Sequence, residues 1–379
     1  MNRLIDLQNC GQSYWLDNLT RKMLVDGDLA RRIRDEGLRG ITANPATFGQ
    51  ALKSDEYDQD IREWAVQGRT TSEIYEHLLV TDVKQACDLL MDVYRQTDGI
   101  DGYVSLEVSP HLAHDPEGTM QEARRYVALV DRPNLFIKIP GTHQGVIAIQ
   151  QMLYEGVSVN VTLLFSVAAY QAVMEAHMAA LERRAAEGLP LRPVMSVASF
   201  FLSRIDVLVD QLLSQRVSGG DDQRIGTLRG QAAVASAKLA YQVFRQGVAS
   251  ERWRRLAGHG ARVQRPLWAS TGTKNPAYRD VYYVEPLIGR DTVNTMPEAT
   301  IEAFADHGEA KPDAIEQHVE QASRILEQLN DLGIDLDRVA WQLEHEGVQK
   351  FIDAFDTAVK ALDVKRQRYV SHGMQALRA

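Results

Sequence analysis

Only two cysteines, Cys10 and Cys87, occur in 379 residues, too few for a disulfide framework or a zinc cluster, so both are expected to be free thiols. No apolar run approaches the roughly 18 residues that would span a bilayer, and the first nine residues lack the apolar core of a secretory signal. Basic stripes are missing too. With a net charge of -9 and no clustered Lys or Arg, neither nucleic acid nor an anionic membrane is expected as a partner. No Gly-x-Gly-x-x-Gly follows the first strand-like run, which removes the usual dinucleotide cradle. Repeats, low-complexity tracts and linkers are absent as well, so nothing cuts the chain into separate domains. What remains, 45% hydrophobic and 25% charged, has the balance of an ordinary globular protein, and a cytoplasmic one is expected.

Short β-type runs alternate with helical sequence along most of the length. The runs are residues 13–17, 40–44, 102–108, 135–139, 158–165, 193–201, 266–271 and 292–296. Between them, apolar residues recur at three- and four-residue spacing, as in 29–35, 72–94, 145–154, 166–187 and 229–244. Eight strands, each followed by helical sequence, predict an α/β fold of the (β/α)8 TIM-barrel type rather than an open doubly wound sheet. The intervals 46–100 and 202–264 are long enough for extra helices, and 216–224, rich in Gly and Asp, reads as a flexible loop. After Met296 the pattern is helical, with helices expected over 312–332 and 336–362. Residues 1–379 therefore read as one barrel domain, with 298–379 a helical C-terminal extension.

Lys138 is the one charge inside the apolar run 134–142. Burying an unpaired ammonium in a strand is costly, and one common use for such a lysine is as a nucleophilic amine. A lysine snorkelling from a strand end is the other reading. The remaining strands also end in polar residues. Asp17 closes the first, Thr42 and Asn44 share a face of the second, and Ser105 and Glu107 share a face of the third. Asn160 and Thr162 pair in the same way, Ser199 and Ser270 end the sixth and seventh, and Asn294 lies in the eighth. Polar side chains at the C-terminal ends of barrel strands point to catalysis. A lysine among carboxylates and amides suits imine formation with a ketone, Asp17 and Glu107 dividing the proton transfers. Arg204 and Lys274 follow the sixth and seventh strands, the sector of a barrel that commonly binds phosphate. His111, His114 and His143 are conceivable metal ligands but read more readily as surface residues, so neither a metal ion nor a cofactor is expected.

These residues resemble the transaldolase family, from about residue 12 to about residue 295. The motifs that carry the resemblance are Trp15-Leu-Asp17, Gly40-Ile-Thr-Ala-Asn-Pro-Ala-Thr-Phe48, Val104-Ser-Leu-Glu-Val108, Ile137-Lys-Ile-Pro140, Val159-Asn-Val-Thr-Leu-Leu-Phe165 and Leu267-Trp-Ala-Ser-Thr271. The resemblance implies that Lys138 forms the imine and that Asp17 is the base at the hydroxyl beside the scissile bond. It pairs Glu107 with Thr162 to activate water, and makes Asn44, Asn160 and Ser199 contacts to substrate hydroxyls. Arg204 and Ser270 match phosphate contacts. After Ser270 this chain reads Ser270-Thr-Gly-Thr-Lys-Asn275 where the family's short form has an arginine, so Lys274 is the substitute. The length suggests the longer bacterial branch. The implied function is transfer of a dihydroxyacetone unit between sugar phosphates of the non-oxidative pentose phosphate pathway. Donors would be sedoheptulose 7-phosphate or fructose 6-phosphate, and acceptors glyceraldehyde 3-phosphate or erythrose 4-phosphate. Fructose-6-phosphate-type aldolases are the nearest alternative, but such relatives carry Gln in place of Glu107 and Tyr in place of Phe201. A non-catalytic sugar-phosphate-binding barrel is the other. The sequence leaves monomer and homodimer both open.

Overall fold

Eight parallel strands close on themselves in chain order in the computed structural model, whose described residues are 2–216 and 222–376. They are β1 (Gln12–Leu16), β2 (Gly40–Thr42), β3 (Tyr103–Glu107), β4 (Leu135–Pro140), β5 (Val159–Leu164), β6 (Ser196–Phe201), β7 (Gln264–Ala269) and β8 (Thr292–Met296). β8 pairs back onto β1, so no strand edge is left open. The expected (β/α)8 barrel with additional C-terminal helices is the fold observed. β7 stops at Ala269, two residues before its expected end, because Ser270 takes a left-handed backbone (φ 55°).

Alternation along the strands sorts the side chains. Ser13, Trp15 and Asp17 lie on one face of the β1 segment. The bulk of Trp15 is accommodated by Gly40 on β2, where a Cβ would meet the indole at 2.5 Å. The Trp15 ring also packs 6.0 Å from Phe136, which in turn stacks on Tyr103 at 4.1 Å. Parallel register then sets polar residues side by side above this aromatic layer: Glu107 is opposite Lys138, and Lys138 opposite Asn160.

Below the aromatics, at the N-terminal ends of the strands, lies a buried ion pair. Arg265 of β7 donates to Asp101 (3.0 Å), to Ser13 Oγ (2.7 Å) and to the Thr292 carbonyl (2.8 Å). Ser13 Oγ and Trp15 Nε1 donate to the same carboxylate.

The interval 46–100 carries the helices Asp58–Val66 and Thr71–Gln96 in addition to Pro45–Ala51. Interval 202–264 carries Ser203–Ser214, Asp222–Leu228, Ala232–Ala249 and Glu251–Gly258. Of the loop expected at 216–224, residues 217–221 lie outside the described residues, and the chain is helical from Asp222.

Beyond β8 the chain forms helices Glu298–His307, Val319–Asp331 and Leu336–Ala376. The helix expected from 312 starts only at Val319, because Asp313 and His318 take left-handed backbones (φ 52° and 59°) that interrupt a continuous helix. The last helix runs past 362 to Ala376 and lies across the barrel mouth. Gly49 on Pro45–Ala51 lies against Ala358 on it, and Gly347 on it lies against Leu163 of β5; an added Cβ at either would come 3.0 Å from its neighbour. Among the described residues no helix is long and apolar enough to cross a membrane.

The floor pair generates a stability prediction. Removing one member of a buried ion pair strands the other, at a cost of about 3–5 kcal/mol. Asp101→Ala should therefore lower the urea midpoint sharply, and Asp101→Ala/Arg265→Met should recover much of it. Equal midpoints for the single and double variants would show that Arg265 is not stranded.

Candidate active site

Lys138 projects from β4 with its side chain 5% exposed, beside a Glu107 side chain that is 4% exposed. Nζ donates to Glu107 Oε2 at 3.1 Å and to the Ala43 carbonyl at 3.4 Å. Asp17, just past the end of β1, accepts from Thr42 Oγ1 at 2.8 Å, and that hydroxyl also meets Thr295 Oγ1 at 2.7 Å. Hydrogen bonds thus fix the Asp17 carboxylate before any ligand arrives.

A cavity of about 270 Å3 opens above these groups. Asp17, Asn44, Lys138, Thr162, Ser199, Phe201, Arg204, Ser270 and Lys274 all border it, so most of the expected site residues converge on one mouth. Asn44 also caps Pro45–Ala51, its Oδ1 accepting from the backbone N–H groups of Ala46 and Thr47. Thr162 Oγ1 is buried with no hydrogen-bond partner among the described residues, as is Arg204 Nη1. Two expected residues stand outside the cavity lining. Glu107 reaches the site through its bond to Lys138. Asn160 lies beneath, donating to Ser105 Oγ at 3.0 Å and accepting from Ser199 Oγ at 2.7 Å.

Asn294 is a correction. Residue Tyr14 pairs with Asn294 and Trp15 with Thr295 across β1 and β8. Trp15 faces the interior, so Thr295 does as well, while Asn294 turns outward and donates to the Tyr283 carbonyl at 3.2 Å. Thr295 borders the mouth in its place. Phe351, from the last helix, also went unforeseen; its ring lies 5.7 Å from Lys138 Nζ and 5.9 Å from Arg204 Cζ. Helical periodicity in 336–362 marks a buried face but not what that face covers. Two of the three histidines have other partners: His111 Nε2 lies 2.7 Å from Asp356, and His114 Nδ1 3.3 Å from Gln144.

Burial is the largest influence on both carboxyls and raises their pKa values. For Asp17 the charge of Lys138, the Thr42 hydrogen bond and the charges of Arg204 and Lys274 pull the other way. For Glu107 the charge and hydrogen bond of Lys138 oppose burial, while the charge of Asp17 adds to it. Burial lowers the Arg204 pKa. Carboxyls that burial raises, set beside an amine, are placed to give and to accept protons.

A TIM barrel with a buried lysine between two such carboxyls has the parts of an imine-forming enzyme that makes or breaks carbon–carbon bonds. Comparison with known proteins supplies the particular family. The model of the transaldolase/fructose-6-phosphate aldolase family matches residues 14–362, and the chain belongs to that family. It is 48% identical over 363 residues to the transaldolase of Thiobacillus denitrificans, covering 96% of this chain and 99% of that one. It is 44% identical over 371 residues to the transaldolase of Trichodesmium erythraeum, covering 96% and 97%. With the transaldolase of Acidothermus cellulolyticus it shares 47% identity over 349 residues, 92% of each chain.

The raised pKa of Asp17 carries a sign that can be tested. Its contribution to stability is fully present below the ordinary carboxylate value of about 4 and is lost as pH rises through the higher folded value. At pH 7, above the unfolded value, the group therefore weighs against the fold. Asp17→Asn should melt above the wild type at pH 7, with the difference shrinking towards pH 4. A lower melting point at pH 7 would show that the surrounding cations outweigh burial.

Proposed function

We propose that this chain is a transaldolase that carries a dihydroxyacetone unit as a Schiff base on Lys138, from a ketose phosphate to an aldose phosphate. The donors are sedoheptulose 7-phosphate or fructose 6-phosphate, and the acceptors glyceraldehyde 3-phosphate or erythrose 4-phosphate. The observation that carries the reading is the buried Lys138–Glu107 contact of 3.1 Å at a mouth that also holds Asp17 and Arg204.

In this scheme the Lys138 ammonium passes a proton to Glu107, and the free amine attacks C2 of the ketose. The carbinolamine hydroxyl leaves as water with a proton from Glu107, steadied by Thr162 Oγ1, and C2 becomes an iminium. Asp17 takes the proton of the C4 hydroxyl. The C3–C4 bond breaks, its electron pair flows into the iminium, and an aldose leaves behind an enamine on Lys138. An incoming aldehyde reverses the bond-breaking step, with Asp17 returning the proton. Water then releases the new ketose. Asn44 and Ser199 hold substrate hydroxyls directly, while Asn160 orients Ser199 and comes within reach of the sugar as it settles. Arg204, Ser270 and Lys274 take the phosphate.

Phe201 lines the mouth as an apolar ring, and in place of a hydroxyl it slows protonation and release of the waiting enamine. This favours transfer over the aldolase alternative. A cytoplasmic location belongs to the same proposal, supported by the two free thiols.

Borohydride reduction in the presence of fructose 6-phosphate should leave a three-carbon adduct on Lys138, located by peptide mass mapping, and transfer to erythrose 4-phosphate should greatly outpace formation of free dihydroxyacetone. An adduct on another lysine would move the site, and release as fast as transfer would make the enzyme an aldolase. Arg204→Ala removes charge-assisted bonds worth about 1.5–3 kcal/mol each, so kcat/KM for phosphorylated ketoses should fall roughly 10- to 100-fold. Fructose itself should lose much less. Equal losses for fructose and fructose 6-phosphate would assign Arg204 a structural part.

A further inference from the structure

Lys274 belongs to the irregular segment 270–291 between β7 and β8, which carries a short 3-10 turn at Glu285–Leu287. A lysine side chain is long and flexible, so the reach of its ammonium depends on where the flanking backbone is held. On one flank the segment is tied to the start of helix Ser203–Ser214. Ser203 N–H donates to the Ser270 carbonyl at 3.1 Å, and the two hydroxyls lie 2.9 Å apart. On the other flank, tyrosines reach the same helix and the chain beside it. Tyr278 donates to Asp210 Oδ2, Tyr283 to Asp206 Oδ2 at 2.9 Å, and Tyr282 to the Gly230 carbonyl at 2.7 Å. Both carboxylates also accept from backbone N–H groups, Asp210 from Gly230 at 2.9 Å and Asp206 from Ala233 at 2.8 Å. Gly230 is left-handed (φ 69°), and a Cβ there would meet the Tyr278 ring at 2.6 Å. Lys274 falls midway between the Ser270 and Tyr278 ties.

The helix that receives these ties is the one that carries Arg204 in its first turn, and Asp206 and Asp210 follow it on one face, a turn apart. Asp206 is buried, a costly place for a carboxylate unless its hydrogen bonds serve some purpose. Arg204 and Lys274 both border the mouth, and the charges of both lower the Asp17 pKa. We propose that Asp206 and Asp210 are positioning residues: by holding Tyr283 and Tyr278 they set the spacing between Arg204 and Lys274, and with it the preference for phosphorylated over unphosphorylated sugars. The proposal rests on the reading of those two cations as phosphate ligands. Its physical content is preorganisation. Two cations grip one phosphate only when both are already in place, and a shift of about 1 Å in either forfeits much of the contact.

The test measures transfer to erythrose 4-phosphate with fructose 6-phosphate and with fructose as donors. Tyr278→Phe removes the hydroxyl and keeps the ring against Gly230. It should raise KM for fructose 6-phosphate about three- to tenfold, part of the worth of one charge-assisted contact. Its kcat, and the reaction with fructose, should change far less. A tyrosine that only supports the fold would lower activity with both donors alike. The deciding measurement places Tyr278→Phe in a Lys274→Ala background, where it should add nothing further to KM, because the group it positions is gone. Tyr283→Phe, which frees Asp206, should repeat the pattern and gives a second variant should the first fold poorly. KM raised by the same factor with and without Lys274 would overturn the proposal. So would an unchanged KM in both tyrosine variants while Lys274→Ala raises it, and the phosphate reading would then still stand. An unchanged KM in Lys274→Ala would instead remove Lys274 from the phosphate site, and the proposal would fall with it.

Discussion

The contact between Lys138 and Glu107 sets the terms for everything around it. Two opposite charges, each almost wholly out of water, attract strongly but pay a desolvation cost that only good geometry and further polar neighbours offset. The barrel supplies both. Parallel register brings the two residues opposite each other on β3 and β4, and the Ala43 carbonyl offers Nζ a second acceptor. Asp17 stands near enough to raise the Glu107 pKa further, so one proton more or less near this cluster changes its energy appreciably. That sensitivity is unfavourable for stability and useful for a reaction in which protons move repeatedly between an amine, a water and a hydroxyl.

Keeping such a cluster dry requires a roof, and the last helix provides it. Its docking is close at Gly347, where an added Cβ would come 3.0 Å from the Leu163 side chain. Leu163 is itself unusual, a branched residue in a left-handed conformation (φ 61°) where the β5–β6 register shifts. Conformations of this kind cost on the order of 1–3 kcal/mol and persist where the surroundings enforce them. Here the irregularity falls one residue after Thr162, whose hydroxyl must stay at the mouth. The strain, the bulge and the roof meet at the place where water chemistry has to be confined.

Much of this was legible in the sequence, for a physical reason. A polar residue inside an otherwise apolar strand run is expensive unless it faces a functional interior, so Asp17, Thr42, Glu107, Lys138, Thr162 and Ser199 stood out against their neighbours. β8 was ambiguous because Asn294 and Thr295 are adjacent polar residues that lie on opposite faces, and only pairing with β1 decides between them. Phe351 gave no signal, since an aromatic on an amphipathic helix reports burial and not the identity of the surface beneath it. The break at 313–318 was hidden in the same way, because Pro312 is a good first-turn residue and left-handed Asp and His leave little trace in composition.

The treatment of Arg204 shows why aromatic rings recur at this mouth. Its guanidinium is largely buried and lies 5.4 Å from the ring of Phe201 and 5.9 Å from that of Phe351. A carboxylate partner would have stabilised the buried cation more directly, but it would also compete with any phosphate for the same donors. Ring faces attract a cation by about 0.5–2 kcal/mol without occupying its N–H groups. The donors are therefore free for an anion, and Nη1 has no hydrogen-bond partner among the described residues. Phe201 and Phe351 thus combine two properties: they are apolar surface in the lining of the mouth, and their rings face the cation that, on the proposed reading, would anchor the sugar.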